Sequence, residues 1–144
     1  MNDKRKIRIL IADDFKALRD VIRLYLERAG DMEVVGEALE LEAAIEHARA
    51  LQPDVIIIND YLPPVDSAIA AQRFREQGIT AALLSISMSV EPALIQRSFQ
   101  HGINGCMHKE EIDMFLEQAV RSIHHGERFL SPRAREADSP QTQT

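Results

Sequence analysis

Four short segments of this 144-residue chain carry the residue types that chemistry on phosphoryl groups needs. Asp13-Asp14 and Asn59-Asp60 offer carboxylates and an amide, Ser85-Ile86-Ser87 ends in a hydroxyl, and His108-Lys109 ends in an ammonium. Hard oxygen ligands suit Mg²⁺, while a hydroxyl and a lysine suit the oxygens of a phosphoryl group. Each alone has a bland explanation: Asp13-Asp14 as a helix cap, Asn59 as a turn residue, Ser87 bonded to backbone, Lys109 at the surface. What sets them apart is that each segment closes a short apolar run.

Those runs alternate with stretches of helical period. Ile7–Ala12 is β-branched and nearly continuous, as a buried parallel strand should be. From Lys16 to Ala29 apolar residues recur at helical spacing, and Gly30 stops the pattern. Strands are predicted at Glu33–Ala38, Val55–Ile58, Ala81–Ser87 and Gly105–His108. Helices are predicted at Leu41–Leu51, Ser67–Gln77, Glu91–His101 and Ile112–His125, with an irregular loop forced by Pro63-Pro64. Five strand–helix alternations imply an α/β fold: a (βα)5 doubly wound parallel five-stranded sheet with helices on both faces. In such a sheet ligands bind at the carboxyl ends of the strands, and all four segments sit at that rim.

Composition narrows the class. With 45% apolar and 28% charged residues the chain reads as one soluble globular domain. A membrane span needs roughly 20 apolar residues. The longest charge-free stretch, Gln77–Val90, has 14 residues and four hydroxyls, so no membrane partner is expected. Lys4-Arg5-Lys6 leads into a run too short and too charged for a secretion signal. The single cysteine, Cys106, makes no internal disulfide and suits a cytoplasmic location. Seventeen Lys and Arg against 23 Asp and Glu leave a net charge of −6, and the basic residues are scattered. No direct nucleic acid binding by this chain is therefore expected. The five histidines show no metal-ligand spacing. The reading divides the chain into a domain at 1–130 and a disordered tail or truncated linker at 131–144, where apolar residues nearly vanish.

In order and spacing, the segments resemble the receiver domain of bacterial two-component response regulators, from residue 7 to about 132. The carriers are Ile9–Asp14, Pro53–Pro63 with Asp66 following, Ser87, His101-Gly102-Ile103-Asn104-Gly105 and Lys109. The closing Gly126–Pro132 looks like the subfamily whose receivers usually precede a helix-turn-helix DNA-binding domain. The resemblance implies the strand order 2-1-3-4-5. It implies Mg²⁺ held by Asp13 and Asp14 with the backbone carbonyl of Tyr61, Ser87 as the switch hydroxyl, and Lys109 as partner of an acyl phosphate. It further implies a sensor histidine kinase or other signalling protein as partner, and is compatible with a homodimer.

Three positions depart from the family pattern. Asn59 stands where the family has its aspartate nucleophile, and an amide has no carboxylate to attack phosphorus. The chain is thus expected to be phosphorylation-null and no enzyme, with Mg²⁺ binding weakened by the lost charge. Both a natural pseudo-receiver and a replacement of Asp that holds the off state fit this substitution. Asp60 is no substitute, because the flanking motifs fix the register and strand alternation turns it away from Asn59. Cys106 takes the place of an aromatic switch residue, and Ser67 replaces a glycine after Asp66.

Two other classes fit the residues less well. A phosphatase or phosphotransferase of the haloacid dehalogenase type would place its two acids one residue apart, whereas Asp13 and Asp14 are adjacent. A flavodoxin-like flavin site would need a Ser-, Thr- or Gly-rich loop after the first strand, and Phe15-Lys16-Ala17-Leu18 is not one.

Overall fold

A computed structural model of the chain describes residues 5–138. Lys4 of the basic triplet and residues 139–144 of the expected tail lie outside the described residues. Eight strands and six helices follow in chain order: β1 Ile7–Ala12, α1 Lys16–Arg28, β2 Met32–Ala38, α2 Leu41–Leu51, β3 Val55–Asn59, β4 Tyr61–Leu62, β5 Val65–Asp66, α3 Ser67–Glu76, β6 Ala82–Ser87, α4 Pro92–Gln100, β7 Gly105–His108, α5 Ile112–His124, β8 Phe129–Leu130 and α6 Pro132–Asp138. The main sheet has six strands in the order β2-β1-β3-β6-β7-β8, every neighbouring pair parallel. Its first five strands reproduce the order implied by the sequence.

The sheet separates two cores by strand alternation, since successive side chains leave a strand on opposite faces. Leu10, Ala12, Ile56, Ile58 and Leu83 pack with α2, α3, α4 and Ala134 of α6. Ile9, Ile11, Val55, Ile57, Leu84 and Ile86 pack with α1 and α5. Strands buried on both faces read as unbroken apolar runs for this reason.

The loops are held by polar groups that apolar periodicity does not show. Glu40 caps α2, its carboxylate accepting from Ala43 N–H at 2.6 Å and Glu42 N–H at 3.2 Å. At the other end Gln52 turns left-handed, with φ of 50°. Arg8 donates to the exposed carbonyls of Leu51 and Gln52 at 2.7 and 3.0 Å. Arg75 reaches across from α3, donating to the carbonyls of Ile79, Ala81 and Gly102 at 2.9, 2.8 and 2.7 Å and to Asn104 Oδ1 at 3.0 Å. Burial pushes its guanidinium below its ordinary pKa. Gly102 has φ of +100°, and a Cβ there would meet Arg75 Nε at 2.9 Å, so the clamp itself demands a glycine.

The expected tail needs correction. Phe129–Leu130 forms a sixth strand beside β7, pairing Gly105 with Phe129 and Cys106 with Leu130. Ser131 is fully buried, and Pro132–Asp138 is helical, with Ala134 fully buried against the α4 side of the sheet. The start of α6 is tied down by the Glu111 carboxylate, which accepts from Arg133 N–H at 3.2 and 3.3 Å. Arg133 also pairs with Glu110 at 2.8 Å. One buried alanine and a polar lock are enough to order these roughly two turns, and neither leaves an apolar pattern to read.

Candidate functional site

The carboxyl ends of β1 and β3 bring Asp13 and Asn59 together. Asp13 is 2% exposed, and its Oδ1 accepts from Phe15 N–H at 2.9 Å and from Asn59 Nδ2 at 3.3 Å. Its second oxygen, Oδ2, is buried with no hydrogen-bond partner among the described residues. Burial pushes the Asp13 carboxyl above its ordinary pKa. The Phe15 hydrogen bond, then the Lys109 charge, work against that rise, while neighbouring Asp14 adds to it. Asp14 itself is exposed, and Lys109 is half-buried directly after β7.

Arg19 was not singled out from the sequence, yet it braces this end of β1. Its guanidinium donates to the Asp13 carbonyl at 2.9 Å and to Glu37 Oε1 at 2.7 Å, and only 8% of the residue is exposed. A signal existed: Arg19 shares the helical stripe of Ile22 and Leu26, so it had to lie on the buried face of α1.

Asn59 turns its amide oxygen away from Asp13, accepting from Asp60 N–H at 2.9 Å. Its NH₂ therefore faces the carboxylate, the arrangement that relieves a buried negative charge in place of a second acid. Ser87 is not joined to Asn59. Its hydroxyl donates to Asp60 Oδ2 at 2.9 Å and lies 2.9 Å from both the carbonyl and the N–H of Ser89. Asp60 and Ser87 line a cavity of about 240 Å³ between α3, α4, β6 and β7, on the sheet face away from α1 and α5. Ser85 also lines it, its hydroxyl 3.3 Å from that of Ser67. Tyr61 is half exposed in the short β4–β5 hairpin, so its ring faces solvent.

For a hard cation the donors fit in part. The orphaned Asp13 oxygen and the exposed Asp14 carboxylate are suitable, whereas the Asn59 oxygen is engaged elsewhere. Among the described residues no group of three or more His, Cys, Asp or Glu side chains converges to hold a metal. Among the same residues no helix is long and apolar enough to cross a membrane.

Comparison with known proteins agrees with this architecture. The family model described as the response regulator receiver domain matches residues 9–121. The relative named "Probable transcriptional regulatory protein NarL", from Mycobacterium tuberculosis, is 30% identical over 127 residues, covering 88% of this chain and 59% of its own. This chain spans about three-fifths of the length of the curated relatives it matches. A solved NarL receiver domain from Mycobacterium tuberculosis superposes with a TM-score of 0.80 at 30% identity, over 85% of this chain and 98% of that one. RcsB, solved as two dimers bound to two parallel DNAs, shares the fold with a TM-score of 0.84 at 21% identity, over 93% of this chain and 68% of that one. The haloacid dehalogenase alternative gains no support from these matches.

One expectation about partners is overturned here. The net charge of −6 argued against nucleic acid, but relatives longer than this chain are named as transcriptional regulatory proteins, and the solved RcsB dimers are bound to DNA. Charge on a receiver says nothing about DNA contacts made by a different domain of the same protein. By the family match over most of its length, this chain belongs to the receiver domains of two-component response regulators.

Proposed function

We propose that this receiver signals without taking a phosphoryl group at position 59. The observation that carries the reading is the amide of Asn59, which donates to buried Asp13 and offers no carboxylate. Acceptor chemistry needs a nucleophilic oxygen anion facing phosphorus, and an amide nitrogen pair cannot replace it. Ser87 and Lys109 remain as the hydroxyl and ammonium of a phosphoryl site, with Ser87 engaged by Asp60.

Asp13, Asp14 and the Tyr61 carbonyl are the groups that would hold Mg²⁺. When bound, the ion would neutralise charge at this rim. Asn59 lowers the available carboxylates and so weakens that site. The protein to which this receiver contributes regulates transcription, as the names of its relatives suggest for them. A cytoplasmic setting suits the buried thiol of Cys106.

The test is incubation with acetyl phosphate and Mg²⁺, read by intact mass with and without hydroxylamine. The chain as given should gain no hydroxylamine-labile mass, and Asn59→Asp should gain one phosphoryl group. Asn59→Asp should also melt lower than the parent without Mg²⁺ and recover with it, since it sets a second acid beside Asp13. An acyl phosphate on the unaltered chain, at Asp60 or elsewhere, would overturn the reading.

A further inference from the structure

We infer that the cavity beneath α4 is a binding site for a small organic amine carrying one apolar ring. The cavity of about 240 Å³ has an apolar wall of Val90, Leu94, Ile95 and Cys106, and polar residues that include Asp60, Ser87 and Ser98 line the rest. Cys106 lies opposite Ser85 in the β6–β7 register, its side chain on the α4 face. An apolar cavity of about 150 Å³ suffices for benzene, so this one takes a ring with a short side chain.

The charge of the ligand follows from the two carboxylates that line the cavity. Asp66 is paired with Arg97 at 2.7 Å, which neutralises both. Asp60 forms no ion pair among the described residues and accepts only the hydroxyl of Ser87 with its side chain. An unpaired carboxylate beside an apolar wall favours a ligand that brings its own cation, because charge-assisted hydrogen bonds are the strong ones in such sites. Leu94 is 44% exposed, which leaves the cavity open to solvent beside α4. An ammonium bound at Asp60 would compete with the Ser87 hydroxyl and so reach the Ser87–Ser89 contacts that hold the β6–α4 loop. The inference rests on the cavity and stands whether or not position 59 accepts a phosphoryl group.

Phenethylamine and its neutral isostere 2-phenylethanol are the probes. The full chain, labelled at Ile, Leu and Met methyl groups, is titrated with each and followed by NMR. Phenethylamine should give saturable shifts at Ile95 and Leu94, with 2-phenylethanol about tenfold weaker. Asp60→Asn should remove that preference, and Cys106→Phe should abolish binding of both while the protein stays folded by its methyl spectrum. Should Cys106→Phe not fold, Ser98→Leu narrows the same cavity from α4 and should have the same effect. Unsaturable shifts, equal affinity for amine and alcohol, or undiminished binding by the filled variant would each overturn the inference.

Discussion

The hydroxyl of Ser87 donates to Asp60 at 2.9 Å, and Asn59, one residue earlier, donates instead to Asp13. Two adjacent residues at the end of β3 thus serve opposite faces of the sheet. Asn59 belongs to the acidic rim of β1, and Asp60 belongs to the cavity under α4.

Removing the hydroxyl isolates that arrangement. Ser87→Ala leaves Asp60 without its donor and Ser89 N–H without its acceptor. Stability should fall by about 1–2 kcal/mol in urea unfolding. Hydrogen exchange should rise at Ser89 and Val90 and stay unchanged in β1. Uniform loosening across the sheet would contradict a local role for this bond.

Arg75 joins α3 to the loops before β6 and β7 through four acceptors. Arg75→Ala strands those carbonyls partly out of water. We expect a loss of about 2–4 kcal/mol by denaturant titration. Arg75→Lys should rescue little of it, because a single ammonium cannot reach four acceptors in the fork geometry of a guanidinium.

Acid should act on the β2–α1 contact. The hydrogen bond from Arg23 holds the Glu37 carboxyl below its ordinary pKa, helped by Arg19 and opposed by burial. A depressed folded pKa stabilises above the unfolded value and is lost as pH falls through the folded one. The unaltered chain should lose stability below about pH 5, and Glu37→Gln should lose less over the same range. Urea midpoints at neutral and acidic pH, compared between the two proteins, measure the difference. Parallel curves for the two would mean the pair adds nothing.

The α6 segment gives a separable test. Ala134 is fully buried between β7 and α4, so Ala134→Asp places a charge in the core. It should cost about 3 kcal/mol if α6 stays docked, and less if the helix simply lifts off. Exchange protection in α6 should vanish in this variant while β1 and β3 keep theirs. Retained protection in α6 would show that the helix is not anchored through Ala134.

Much of the fold was legible because it follows from hydrophobic period alone. Val55–Ile58 and Ile7–Ala12 are continuous apolar runs, and only a strand buried on both faces uses such residues without alternation. The five helices from α1 to α5 were equally readable from their apolar stripes and stops. The edge strand β8 and helix α6 were not, since two residues and one buried alanine carry no period. Arg75 and Arg19 leave no such signal of their partners, for a related reason. Their partners are backbone carbonyls and a distant carboxylate, which sequence spacing does not pair.

The sequence by itself determined which residues gather at the carboxyl rim, because strand order and parallel direction leave them nowhere else to go. It also determined that position 59 carries an amide in place of an acid. Only the tertiary structure decided which side chains face one another there: Asn59 toward Asp13, Ser87 toward Asp60, and an open cavity beside Cys106. Strand alternation sends such side chains to opposite faces but does not choose their partners. Their partners are set by the neighbouring strands and helices that close around them.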